Sequence, residues 1–266
     1  MEKEKMRKSN KIGLFFKKCG QSFMNLLFPE DIKCLFCGSD IPNFDDKPYC
    51  DECEKVLPFN DGHRCLICDE PIDNEANVCD SCQKNKRFFV KAFCPFVYKG
   101  LVRKAILNYK DKNKRYMAKS FAKFIANTVT KTGIKFDYIS FVPMTKKKEK
   151  ERSFNQSKLL AKELGKLLEL EVKEVFEKTK DGRLQKNSTF KERQENIVGM
   201  YKLKDGVKLK NSDVVLIVDD IITTCATINY CSGLIVNKVA GVYVAAIARN
   251  KLRIVKDNKS DPLVPF

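Results

Sequence analysis

The chain has 266 residues, 43% apolar and 32% charged, room for one ordinary domain and a small module. Lys and Arg exceed Asp and Glu by 51 − 34 = 17. The expected partner is therefore a polyanion, a phosphorylated substrate or an anionic membrane surface, against the plainer reading of a Lys-rich composition. No stretch is long and apolar enough to span a bilayer, and Met1 to Asn10 mixes both charge signs, unlike a signal peptide. The expectation is a cytoplasmic chain with no integral membrane segment, its twelve cysteines reduced or metal-bound.

In chain order, residues 11–28 read as a basic amphipathic helix, lying on a membrane surface or packing its apolar stripe on the neighbouring cysteine-rich module. Cys19 has no neighbour at ligand spacing and reads as an ordinary buried thiol. Residues 34–82 hold four Cys-x-x-Cys pairs: Cys34/Cys37, Cys50/Cys53, Cys65/Cys68 and Cys79/Cys82. Two such pairs complete a tetrahedral four-thiolate zinc site. The segment also repeats itself. Cys34-Leu-Phe-Cys, Ile41-Pro42 and Cys50-Asp-Glu-Cys return as Cys65-Leu-Ile-Cys, Pro71-Ile72 and Cys79-Asp-Ser-Cys, which favours two sequential ribbons over a cross-braced pair. About fifty residues with few large aliphatics bury little core, so two structural Zn2+ ions are expected to supply the folding energy. His63, the only histidine, reads as a linker residue once eight thiols are placed.

After a basic connector, Lys84 to Arg87, regular elements resume. Phe93 to Tyr98 reads as a short strand, Gly100 to Tyr109 and Arg115 to Thr132 as helices, and Phe136 to Pro143 as an aliphatic strand. A cationic loop comes next, carrying Lys146, Lys147 and Arg152, then a helix from Gln156 to Leu168. A charge run is usually a solvated loop; at the end of a core strand it can also clamp a pyrophosphate. Val172 to Phe176 and Ala240 to Ala246 read as further strands.

Val214 to Val218, five consecutive aliphatics, reads as the buried central strand of a parallel sheet. Asp219 and Asp220 stand at its C-terminal end, and Thr223, Thr224, Cys225, Ala226 and Thr227 lead into a helix ending near Val236. Ligands of doubly wound sheets sit outside the carboxyl ends of the strands. A loop of N–H groups and hydroxyls at a helix N-terminus is a phosphate cradle. The bland alternative is an ordinary β-α unit whose acids cap a turn and whose threonines cap the helix.

The run of aliphatics, two acids, two aliphatics and Thr-Thr-x-Ala-Thr resembles the motif of type I phosphoribosyltransferases that binds phosphoribosyl pyrophosphate (PRPP). The resemblance implies that Asp219 and Asp220 hold the ribose hydroxyls and metal-bound waters and are the catalytic candidates. It implies that Thr223 to Thr227 wrap the 5′-phosphate. The family has Gly where this chain has Cys225, so a side chain stands where backbone approaches the ligand. Together with the double ribbons, Pro143-x-x-x-Lys147 through Arg152-x-Phe154-Asn155-Gln156, and Gln185…Arg193-x-x-Asn196, the chain resembles the ComF group of competence and DNA-uptake proteins. Ser153 stands where that group usually has Gly, and the stretch matching Lys180 to Asn196 is its mobile hood.

The implied architecture is α/β, a type I phosphoribosyltransferase-like parallel sheet with an N-terminal zinc-ribbon module. Its expected parts are residues 1–30, a double ribbon at 31–86, the transferase-like domain at 87–250 and a tail at 251–266. The implied ligand is PRPP with Mg2+, Lys146, Lys147 and Arg152 facing the pyrophosphate. Three functions stay open: a transferase acting on an unidentified acceptor, a non-catalytic PRPP-binding adaptor of DNA uptake, and a single-stranded DNA-binding protein on a transferase scaffold. Against the last, no stretch interleaves aromatics with cations as a stacking platform does.

Overall fold

The computed structural model describes residues 33–41, 47–110, 114–179 and 197–251. The expected helix at 11–28 with Cys19, the hood at 180–196 and the tail from Leu252 lie outside the described residues. The chain forms two compact units, divided between Val56 and Leu57.

The smaller unit carries the first knuckle. Cys34 N–H donates to the Ser39 carbonyl (2.7 Å) and Gly38 N–H to the Cys34 carbonyl (2.9 Å). Gly38 takes φ 80°, a conformation that costs a residue without Cβ nothing. The short helix α1 (Asp51–Glu54) overlaps the second Cys-x-x-Cys.

The larger unit opens with the second knuckle, built from the same bonds. Cys65 N–H donates to Glu70 O (2.8 Å) and Asp69 N–H to Cys65 O (3.0 Å), with α2 (Asp80–Lys84) after it. The expected single strand from Phe93 to Tyr98 is instead two, β1 (Ala92–Phe93) and β2 (Phe96–Val97), broken at Cys94-Pro95 where proline offers no N–H to a ladder. Then come α3 (Gly100–Tyr109), α4 (Met117–Thr130), β3 (Tyr138–Phe141), α5 (Lys146–Arg152), α6 (Gln156–Leu168) and β4 (Glu171–Val172). β5 (Phe176–Lys178) and β6 (Tyr201–Leu203) form a separate antiparallel pair. The expected strand from Val172 to Phe176 is thus two elements in two sheets. The chain closes with β7 (Val214–Ile222), α7 (Ala226–Ile235) and β8 (Gly241–Arg249).

The main sheet is parallel throughout, in the order β1-β8-β7-β3-β4, with β2 also on β8. The chain is therefore α/β, as its aliphatic runs imply. Val215 to Val218 are completely buried, each worth about 1.5–3 kcal/mol relative to an exposed position. β7 pairs with β3 only as far as Val218, but with β8 as far as Ile222 opposite Arg249. The central strand therefore outruns one neighbour by four residues, and those four begin with Asp219 and Asp220. The acids, expected just past the strand, lie inside it.

Candidate functional site

Where β3 falls away, the two acids meet side chains from helices. Ser157, in the first turn of α6, donates its hydroxyl to Asp219 Oδ1 (2.8 Å), and the Asp220 N–H donates to the same oxygen (2.8 Å). Lys110, the residue that ends α3, pairs with Asp220 Oδ2 at 2.9 Å. Burial, then the neighbouring Asp220 charge, pushes the Asp219 carboxyl up to about 7, against the pull of Ser157, the backbone N–H and Lys110. Two adjacent carboxylates thus stand in different states, one cation-paired and one poised to hold a proton near neutrality.

Downstream, Thr223 to Cys225 turn the chain into α7. Cys225 is the N-cap of that helix at φ 65°, ψ 0°, a left-handed conformation that costs an ordinary residue about 1–2 kcal/mol. Thr224 Oγ1 accepts from Ala226 N–H (3.4 Å). Asp219 and residues 221–228 line a small polar cup of about 30 Å³ beside the helix N-terminus. The Cys225 side chain is buried. Its thiol lies against the Cys68 sulfur, which with burial raises its pKa well above the usual thiol range.

The cationic segment before α6 is a helix and not the expected loop. Thr145 caps α5 by accepting from Lys148 N–H, and Ser153 ends it at φ 65°. Ser153 and Cys225, the chain's two departures from glycine, both take left-handed backbone. Lys146 and Lys147 are exposed on α5 and Arg152 is half-buried. They stand at the carboxyl end of β3, the same end of the parallel sheet as the acids. Phe154-Asn155-Gln156 anchors that turn. Phe154 is buried against Tyr109, Asn155 caps α6 through Lys158 N–H (3.1 Å), and Tyr109 donates to Gln156 O (2.8 Å). Gln156 itself is buried with neither amide atom bonded.

The eight paired thiols gather as two sequential tetrads, Cys34/Cys37/Cys50/Cys53 and Cys65/Cys68/Cys79/Cys82, with the ligand atoms of each within 4.8 Å of one another. Cys37 and Cys50 sulfurs lie 3.7 Å apart, and Cys68 and Cys79 sulfurs 3.6 Å. A tetrahedron with Zn–S of about 2.3 Å has edges of about 3.8 Å, so both sets fit zinc. His63 belongs to neither; its Nε2 sits 2.8 Å from Ala76 O.

The second tetrad is wholly buried and its sulfurs meet guanidiniums: Arg87 Nε donates to Cys82 Sγ (3.3 Å) and Arg249 Nη2 to Cys68 Sγ (3.5 Å). Sequence reasoning missed Lys110, Ser157 and Arg249. The first two sit at helix ends with nothing in their spacing to mark them. Arg249 did carry a signal, a cation closing an otherwise apolar strand.

A family profile described as Double zinc ribbon domain matches residues 23–83. Competence protein ComFC of Bacillus subtilis (strain 168) is 22% identical over 205 residues, covering 73% of this chain and 80% of that protein. Over most of its length the chain is thus similar to a competence protein, with a double zinc ribbon over residues 23–83. Among solved structures, the chain is similar to two described as the analysis of an invariant aspartic acid in HPRTs, an alanine and an asparagine mutant. Both are 16% identical with a TM-score of 0.30, covering 52% of this chain and 76% and 74% of theirs. Among the described residues no helix is long and apolar enough to cross a membrane.

Proposed function

We propose that the chain is a cytoplasmic, phosphoribosyltransferase-like competence protein that binds Mg–PRPP at the end of β7 and transfers the phosphoribosyl group to an acceptor. On this reading residues 31–86 are the double ribbon and 87–250 the transferase-like part. One observation carries it: a carboxylate pair where the central strand outruns its neighbour, leading at once into a left-handed turn and a helix N-terminus. The relative's description as a competence protein supports placing the work in DNA uptake.

Phosphoribosyl transfer passes through an oxocarbenium-like ribose, so it needs positioning and charge neutralisation more than covalent chemistry. Asp219 and Asp220 accept from the ribose hydroxyls, with Ser157 and Lys110 fixing their carboxylates. N–H groups of residues 224–227 and the threonine hydroxyls take the 5′-phosphate. Lys146, Lys147 and Arg152 neutralise the leaving pyrophosphate, and Mg2+ arriving with the ligand supplies further positive charge. The test is calorimetry with Mg–PRPP: saturable heat upholds the reading and silence overturns it. The second reading, a non-catalytic PRPP-binding adaptor, is favoured by the strained Cys225 in the phosphate turn. Saturable PRPP binding without pyrophosphate release, with single-stranded DNA among the acceptors offered, would select it.

A further inference from the structure

Arg249 ends β8 with no exposed surface, and both edges of its guanidinium are committed. Toward the second ribbon, Nε donates to Cys68 O (2.9 Å) and Nη2 to Cys68 Sγ (3.5 Å) and Glu70 Oε2 (2.5 Å). Toward the phosphate turn, Nη1 donates to Ile222 O (3.2 Å) and to Thr223 O. A guanidinium is planar and rigid, so displacing the acceptors on one edge displaces those on the other. The charges call for a filled site: four thiolates on a divalent ion leave two negative charges and buried Glu70 adds a third, against two positive ones from Arg87 and Arg249, so without the ion the excess of negative charge would be far larger. A second link runs beside the first. Cys225 packs in the same buried cluster as the tetrad, its thiol against Cys68. Strained backbone persists only where its surroundings over-determine it, and Cys68 and Arg249 are among the groups that hold this turn.

We propose that Arg249 is a positioning residue: it couples the metal-filled second tetrad to the backbone of residues 222–225, so the shape of the phosphate turn depends on zinc at the second site and not at the first. Its consequence for PRPP rests on the function proposed above; its structural claim does not. Ligand and metal then stabilise one another reciprocally, PRPP tightening the equilibrium affinity of the second tetrad for zinc.

The test is hydrogen exchange on the full zinc-loaded chain, read at Asn229, whose N–H donates to Cys225 O, and at Asn250, whose N–H donates to Ile222 O. Emptying the second site by Cys79→Ser with Cys82→Ser should speed exchange there at least about tenfold, while Cys50→Ser with Cys53→Ser should leave it unchanged. Because the first double variant can unfold the unit, Arg249→Lys decides the matter: both zincs retained by elemental analysis, faster exchange confined to the turn, and weaker PRPP binding. Exchange at wild-type rates in Arg249→Lys overturns the proposal. So does exchange raised evenly through β3 and β7, which would make Arg249 a general stabiliser. If the wild-type chain ignores PRPP while the exchange result holds, only the ligand reading fails.

Discussion

The two ribbons begin from one sequence pattern and end as different objects. Each folds a knuckle closed by the same two backbone bonds, each sets a left-handed residue directly after its first Cys-x-x-Cys, and each gathers four thiols at zinc spacing. At the left-handed position the first ribbon uses Gly38 and the second Asp69. Asp69 recovers its backbone cost through its carboxylate, which accepts from Cys94 N–H (2.7 Å) and Asn60 Nδ2 (3.2 Å) and pairs with Arg64 (3.1 Å). In the first tetrad Cys37 is exposed and bonded to Ser39, so water can screen the site's charge. In the second, all four thiols are buried and two arginines do that work. The same coordination chemistry is a local staple in one place and, in the other, part of the scaffold that carries the acids and the turn at residues 222–225.

The largest break in that comparison comes from the thiols. Cys65→Ser with Cys68→Ser should remove one zinc of two and lower the melting temperature of the larger unit by more than about 10 °C, since structural zinc supplies many kcal/mol of folding energy. Cys34→Ser with Cys37→Ser should remove the other zinc and leave that transition in place. Elemental analysis with differential scanning calorimetry reads both; a single zinc in the intact chain would contradict the two-site account. Next in size is Arg249→Met, which strands Glu70 and the tetrad charge in the interior and should cost about 3–5 kcal/mol by chemical denaturation. The counterpart Lys47→Met, on the exposed pair with Glu54, should leave the denaturation curve unmoved.

Smaller effects test the acids and the turn. Asp219 is lifted from 3.8 to about 7, so the folded chain keeps a proton that the unfolded chain releases near pH 4. The folded state binds more protons across that window, and the stability contributed below it is lost as pH rises from about 4 through about 7. Asp219→Asn, neutral throughout, should flatten that slope in melts taken at several pH values. Smallest is Cys225→Gly. It relieves about 1–2 kcal/mol of left-handed strain and forfeits a buried side chain of similar worth, so stability should move by less than about 1 kcal/mol. A side chain turned toward Cys68 does not crowd the cup, so PRPP affinity should change by less than about threefold.

Much of this was legible because it is local. The Cys-x-x-Cys repeat and the five aliphatics of β7 are written in consecutive residues, and the α3 and α6 boundaries come from apolar spacing. The central strand's reach through Ile222 was not legible, because acids inside a strand are decided by which neighbour continues beside them. Lys110 with Asp220, Ser157 with Asp219 and Arg249 with Cys68 join residues 110, 62 and 181 positions apart, and no spacing rule reaches that far. The cationic run became a helix through one Thr145 cap, a signal present in the sequence but outweighed by the density of charge.

On the proposed function the acids of β7 hold PRPP and are not merely architecture. The measurement is a Mg–PRPP titration of the wild-type chain beside Asp219→Asn with Asp220→Asn, both shown to hold two zincs and to melt cooperatively. Each lost charged hydrogen bond is worth roughly 1.5–3 kcal/mol, so the pair should weaken binding by more than about a hundredfold. Equal affinity in the two chains would contradict ligand binding by the acids and leave the strand, turn and helix as scaffold alone.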